Sequence, residues 1–426
     1  MSDATAPAGA LPLRRLALLA IPAVIIGIVS ALILFGLEWV ADQLEHYLWS
    51  TLPATIDVDP GNGWWIFTLL TLSGVAVGLV VWLVPGHGAR DSATTELIAP
   101  PLKLAVIPSL VLVTILALAG GVSLGPENPI IAINTAVLVA LIARLMPKVP
   151  TELILLLTAA GTIGALFGTP VAAALVFTGV VAALKSGGAL WDRLFLPLAA
   201  AGAGSVTMGL LGGATLTVNV PSMGAMQPIY FVEGLGVAVA ATLLGLAMVF
   251  VFPFLHRFFH GLKYPIVYIT LGGVLLGVLG AIGGPITLFK GLSQMGTLVD
   301  DRANYDAGQL VVVTLVKVAA LVIAASAGFR GGRIFPAVFI GVAFGLLTEA
   351  VFPDIPISLA IACGVLGVVL VVARDGWLAL FIAVAVVGDV ALLSVLCVII
   401  LPVWLMVSRA PEMIIHPPKV LEPARS

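Results

Sequence analysis

The sequence predicts an all-α polytopic membrane protein made of two matching halves, and three observations carry that prediction. The chain is 61% hydrophobic and only 9% charged, where a soluble domain carries about 25% charged residues. Apolar runs long enough to span a bilayer follow one another with few polar linkers between them, and mean hydropathy is +1.21. A helix, a glycine-rich break and a second helix occur in the first half and recur, in the same order, in the second.

Taken in order, Arg14 and Arg15 precede an apolar run at 16–37. At about 22 residues it is too long for the core of a signal peptide and long enough to span. It is the predicted first helix, and the arginine pair places residues 1–13 in the cytoplasm by the positive-inside rule. A polar loop at 57–63 follows, with Trp64 and Trp65 as interfacial anchors, and a second run ends at Val84. Residues 85–97, PGHGARDSATTEL, are too polar to span and read as a loop plus a re-entrant half-helix. Runs at 102–119 and 130–145 flank the first break, and 153–167 leads to a second break at Gly168-Thr169-Pro170. Further runs cover 171–184, 194–211, 232–255 and 265–282, and the pattern resumes beyond Gly283-Gly284-Pro285. The expected organisation is one membrane domain at 14–408, with repeats at about 14–212 and 229–408, and a short tail at 409–426.

The two breaks align residue by residue. Gly125 and Pro129 match Gly332 and Pro336 at an offset of 207 residues, about half the chain, and 85–97 has a weaker counterpart in 283–295. Matched broken helices in two halves point to a transporter whose site lies at the repeat interface near mid-membrane. The competing reading is chance similarity among apolar segments.

The stretch 120–136, GGVSLGPENPIIAINTA, places one carboxylate, Glu127, between Pro126 and Pro129 at the start of a helix. Irregular backbone at membrane depth is tolerated only against protein or a water-filled cavity. The first N–H groups of the new helix lack intrahelical partners and make an anion-seeking end. An ionisable group there is a functional candidate. The bland alternative is a carboxylate that caps the helix.

At these residues the chain resembles the CLC family of anion channels and anion/proton antiporters, in a divergent bacterial branch without cytoplasmic regulatory domains. GVSLGPENP is similar to the motif that carries the family's gating glutamate, with Glu127 in that place. GFRGGRIFP resembles G-G-x-F-x-P, and GHGAR at 86–90 is a weak match to G-S-G-I-P. FGTPVAAALVF at 167–177 looks like F-N-A-P-L-A-G-I-L-F, and VVARDGWLALF at 371–381 keeps Arg374 of an Arg-Ala-Pro turn. The resemblance implies an inverted repeat of about 16 to 18 tilted, partly re-entrant helices. It also implies a homodimer in the bacterial inner membrane, moving an inorganic or small anion, chloride or another halide first among them, with protons as a further partner. Half-helix starts built from Gly125, Pro126, Asn128, Pro129, Gly331, Gly332 and Pro336 would surround the ion. His87, Ser92, Arg333, Ile334 and Phe335 would bind it, chiefly through amides at Arg333 and Ile334. Backbone donors replace a hydration shell without trapping the ion as a fixed full charge would.

Departures from the pattern matter. Pro126 stands where the family has Lys or Arg, so a positive charge and an amide donor are missing. Arg330 and Arg333 either restore positive potential or form a structural pair. His87 is either an anion ligand that can protonate or a loop histidine, and Ser92 is a second candidate hydroxyl. Lys317, Arg374 and Asp375 read as buried structural charges ahead of substrate contacts. The internal glutamate of proton-coupled members falls at Gly179-Val180, and all five tyrosines lie at or before Tyr305, so the C-terminal tyrosine of the family's anion site has no counterpart. A passive or differently coupled conductance is therefore expected ahead of the standard antiporter.

The net charge of −2 says nothing about nucleic acid and no such partner is expected, and Cys363 and Cys397 lie in apolar runs as small hydrophobes. No disulfide framework, metal-ligand spacing or cofactor is expected. Two other classes compete: a hydrolase using Ser123 in GVSLG, for which no histidine partner is recognisable, and a carrier of a cation or neutral solute, for which only one carboxylate is well placed.

Overall fold

The computed structural model describes residues 13–147, 149–183, 190–213 and 216–416. Among them the regular structure is helical. The first half holds α1 (Leu13–His46), α2 (Gly63–Leu83), α3 (Ile107–Ala119), α4 (Glu127–Leu145), α5 (Thr151–Phe167), α6 (Pro170–Ala183) and α7 (Leu190–Leu210). The second holds α8 (Ile229–His260), α9 (Pro265–Gly283), α10 (Leu292–Asp300), α11 (Ala307–Ser326), α12 (Ile334–Val351), α13 (Ile357–Ala373), α14 (Gly376–Val387) and α15 (Leu392–Val407). Among the described residues eight helices are long and apolar enough to cross a membrane, while α3, α5, α13, α14 and α15 are apolar but shorter. The protein is a multi-pass membrane protein.

The repeat is visible in the elements. α4 opens at Glu127 and α12 at Ile334, the same offset that separates Gly125 from Gly332. α2 and α9, which precede the two breaks, pack with their backbones almost touching: a Cβ added to Gly273 would lie 2.6 Å from the Leu70 carbonyl oxygen and 2.8 Å from the Gly74 Cα. Small residues let helices approach this closely where lipid offers no hydrophobic drive for association.

Three sequence expectations change. First, α1 runs past the apolar stretch to His46 and continues through Tyr47–Thr51 and Leu52–Thr55. Glu38, Asp42 and Glu45 extend it at i, i+4 and i+7, and Glu38 pairs with Lys290, so the acidic face has a partner that hydropathy cannot reveal. Second, α8 extends to His260, beyond the predicted end at 255. Third, 85–97 contains no half-helix. Gly86, His87, Gly88 and Ala89 have φ of 93°, 51°, 64° and 58°, and four left-handed residues in succession cannot continue a right-handed helix.

The buried charges hold backbone. Lys317 is fully buried, and its ammonium donates to the carbonyls of Thr287 at 3.0 Å, Leu288 at 2.8 Å and Phe289 at 2.8 Å. Arg374 donates to the carbonyls of Val407 and, at 2.9 Å, Ala410. Asp375 caps α14 by accepting from Leu378 N–H at 3.0 Å. The first part of the tail also packs back, since Ile415 N–H donates to Ala93 at 2.7 Å and Met413 is buried. Residues 417–426 lie outside the described set.

Gly273→Ala should overpack the α2–α9 crossing by about 1–3 kcal/mol. The expected result is a lower thermal midpoint for the detergent-solubilised protein, whereas Gly36→Ala, inside α1 with no atom within 4 Å of the new methyl, does not lower it, because alanine is the better helix former.

Candidate functional site

The two breaks meet in space. Gly125 N–H donates to the Gly332 carbonyl at 2.9 Å, and Gly332 N–H donates to Gly125 at 2.7 Å, an antiparallel bridge between the two residues that align in sequence. Backbone with no helical partner at this depth must be satisfied by protein, and here each break satisfies the other. The flanking segments cross over in the same way. Ser92 N–H, from the first half, donates to Phe329 before the second break, and Phe289 N–H, from the second half, donates to Gly121 in the first, each at 3.0 Å.

Glu127 stands directly above this bridge. It is completely buried, and its Oε1 accepts from Phe335 N–H at 2.8 Å, one of the unpartnered amides at the start of α12. Its Oε2 is buried with no hydrogen-bond partner. Both glycines are required by that carboxylate, because a Cβ on Gly332 would fall 1.8 Å from Oε2 and one on Gly125 2.2 Å. The helix that receives Glu127 is therefore not its own. The carboxylate sits at the N-terminus of α12, in the opposite repeat, and local capping of α4 does not describe it. Pro126 occupies the N-cap position of α4 with no side-chain cap, and Asn128 turns away to donate from Nδ2 to the Thr95 carbonyl at 3.3 Å.

The two arginines separate. Arg330 is consumed by the left-handed loop: Nε donates to Gly88 at 3.1 Å, Nη2 to His87 at 2.9 Å and Ala89 at 3.1 Å, and Nη1 to Gly328. It stabilises a backbone that would otherwise carry strain at His87 and Ala89. Arg333 donates through Nη2 to Thr95 at 3.4 Å, while its Nη1 is buried and unpartnered. It keeps donors to spare.

Two cavities of about 330 Å³ each adjoin the bridge and share Glu96 and Asn128. One is lined by Ser92, Thr95, Pro129, Arg330 and Gly331. The other is lined by Arg333, Ile334, Arg374 and Asp375. Ser92 Oγ is buried without a partner. Phe335 packs its ring against Phe167, centroids 5.7 Å apart, which brings the 167–177 stretch to the site, and Pro336 lies in the first turn of α12. His87 does not join this group: its ring is exposed and its Nδ1–H donates to the Val81 carbonyl at 2.8 Å. The left-handed turn points the histidine side chain outward and leaves only its carbonyl on the inside, held by Arg330.

A third group went unread in the sequence. His256 and His260, one turn apart near the end of α8, face Asp91. The i, i+4 spacing was the available signal, hidden because the apolar run stops at 255.

The profile of the family described as voltage gated chloride channel matches residues 86–403. The chain belongs to that family. Its members are channels or transporters and not enzymes, and Ser123, the residue a hydrolase would need, is buried and directed at the Thr287 carbonyl at 3.4 Å. A protein of Escherichia coli (strain 55989 / EAEC) named "Putative ion-transport protein YfeO" is 45% identical over 410 residues, covering 96% of this chain and 98% of its own. A protein of the same name from Escherichia fergusonii is likewise 45% identical over 410 residues. Among solved structures of this family, a slow cyanobacterial Cl⁻/H⁺ antiporter superposes with a TM-score of 0.76 at 15% identity, over 92% of this chain and 95% of the other. A CLC-type fluoride/proton antiporter gives 0.67 at 20% identity, over 95% and 98%. These likenesses establish the CLC fold.

Arg330→Lys should remove most of the carbonyl contacts in the 86–89 turn. Leaving buried carbonyls unpaired costs about 1–3 kcal/mol, and the expected readout is a lower thermal midpoint together with faster amide hydrogen exchange confined to 86–92.

Proposed function

We propose that this CLC-family chain moves a small inorganic anion between its two repeats, with Glu127 as the gate and without the family's standard internal proton glutamate. One observation carries this reading: a buried carboxylate bonded to Phe335 N–H at the start of α12 takes the place that an incoming anion would occupy at a helix N-terminus. The group it competes with has the same charge and the same donor. A negative Glu127 and the anion therefore exclude one another. A proton on Oε2, the oxygen with no partner, removes that competition and releases the side chain.

Arg333 supports the reading, since its unpartnered Nη1 lies beside the cavity of Ile334 and supplies positive potential where Pro126 has removed it from the first repeat. Ser92 supports it through an unpartnered hydroxyl among the residues of the other cavity. Conduction needs binding favourable enough to admit the ion and weak enough to release it, and amides with one partly occupied guanidinium meet that need. Gly179 and Val180 stand where proton-coupled members carry their internal glutamate, which favours a conductance or an exchanger with another proton route. Chloride or fluoride is the anion class that the named structural neighbours suggest. The homodimer, the bacterial inner membrane and a cytoplasmic N-terminus belong to the same proposal and rest on family resemblance and on Arg14 and Arg15.

In proteoliposomes, wild-type flux should rise as pH falls, because protonation frees the site. Glu127→Gln and Glu127→Ala should carry flux that no longer depends on pH and exceeds wild type several-fold at neutral pH. Measuring chloride, fluoride, nitrate and bicarbonate efflux with and without a proton gradient checks this. Unchanged flux and unchanged pH dependence in both variants would reject the gate. Gly332→Ala, which places a methyl where Oε2 stands, should move flux in the same direction as Glu127→Ala if the variant remains folded by size-exclusion chromatography.

A further inference from the structure

Away from the Glu127 bridge, the 85–103 segment meets the end of α8 through three side chains that can each offer one ligand atom. We infer that Asp91, His256 and His260 form a binding site for a first-row divalent transition-metal ion, with Zn²⁺ the best match to two imidazoles and a carboxylate.

The ligand atoms all lie within 4.8 Å of one another. Asp91 Oδ2 is 3.1 Å from His260 Nε2 and 3.9 Å from His256 Nε2. Two ligands about 2.0–2.2 Å from a tetrahedral ion stand about 3.3–3.5 Å apart, so the two spacings bracket what coordination requires. The hydrogen bonds point the same way. His260 Nδ1 lies 3.1 Å from the His256 carbonyl oxygen, a contact that needs a proton on Nδ1. In a neutral ring Nε2 then carries a lone pair, and it faces a carboxylate oxygen. Something positive must stand between them, either a second proton or a metal ion. A proton on His260 would leave His256 Nε2 as it is now, buried and without any hydrogen-bond partner. A metal ion would engage all three atoms at once.

The surroundings are those of a prepared site. Asp91 Oδ1 accepts from Thr94 N–H at 3.0 Å and Thr94 Oγ1 at 2.6 Å, which fixes the carboxylate with Oδ2 turned to the histidines. A metal-bound imidazole commonly donates its other N–H to a backbone carbonyl, as His260 does. The imidazoles stack with centroids 3.9 Å apart, and His260 stacks on Tyr268 at 4.8 Å, so His260 is held in place and coordination turns the His256 ring out of the stack toward Asp91 Oδ2. The side chains of His256, His260 and Asp91 retain 13%, 31% and 11% exposure, so the cluster is reached from the surface chiefly past His260. An ion here would fasten the segment that carries Ser92, one wall of a cavity beside the bridge, to α8.

The test uses the full-length, untagged protein in detergent, stripped with chelator. Equilibrium dialysis against Zn²⁺ should retain about one ion per chain, and Co²⁺ should give the intense visible absorption of a tetrahedral centre. Asp91→Asn and His256→Gln should each weaken Zn²⁺ binding at least about tenfold, and the double variant His256→Gln/His260→Gln should abolish the Co²⁺ signal, while His416→Gln changes neither. Size-exclusion profiles identify any variant that fails to fold, and for such a variant loss of the Co²⁺ signal on titrating wild type with excess Zn²⁺, at unchanged profile, replaces it. Wild type that retains no Zn²⁺, or a folded double variant that retains as much as wild type, overturns the site and makes His260 an imidazolium paired with Asp91.

Discussion

The arrangement depends on a pair of backbone hydrogen bonds between Gly125 and Gly332. Each glycine lies in a chain break that could not exist alone at membrane depth, because its amide and carbonyl would have no partner. Pairing the breaks solves that problem with two bonds and produces a second result. It holds the first turn of α4 against the first turn of α12, so that a side chain from one reaches an amide of the other. Glu127 crosses from its own helix to the start of the opposite one, and the absence of any Cβ on either glycine provides the room.

The charged residues around this centre divide by what they hold. Lys317 and Arg330 donate to backbone carbonyls, the first to Thr287, Leu288 and Phe289, the second to the left-handed turn at 86–89 and to Gly328. Burying a charge this way offsets desolvation through several charge-assisted bonds to dipoles, and it stiffens the loops that flank the breaks. Arg333 differs in having an unused donor. Of the two arginines flanking the second break, only Arg333 has a buried nitrogen with no hydrogen-bond partner.

Much of this was legible in the sequence, for physical reasons that can be named. Gly125 with Pro129, and Gly332 with Pro336, marked the breaks because glycine and proline are the residues that interrupt an apolar helix, and their common offset identified the partners that turn out to be bonded. Glu127 stood out as a carboxylate at a helix start among apolar residues. What could not be read was anything fixed by contact across the fold. The continuation of α1 through Glu38 depends on Lys290, some 250 residues away. The polar run at 85–97 looked like a half-helix because its composition was turn-like and its length suited one, whereas its path is set by Arg330 drawing three successive carbonyls to one guanidinium. His87 matched a motif by position and then failed by direction. His256 and His260 were passed over because hydropathy ended their helix one turn too soon.

The crossed donations from Ser92 to Phe329 and from Phe289 to Gly121 bear on how the chain is made. When only the first half has been synthesised, the Gly121 and Gly125 carbonyls have lost the donors that the second half supplies, and bilayer interior offers none in exchange. The amino-terminal repeat therefore carries two break carbonyls whose donors are encoded only in the second repeat. Truncation before Phe289 would remove both of those donors, Phe289 N–H and Gly332 N–H, and leave the two carbonyls of the first break without them.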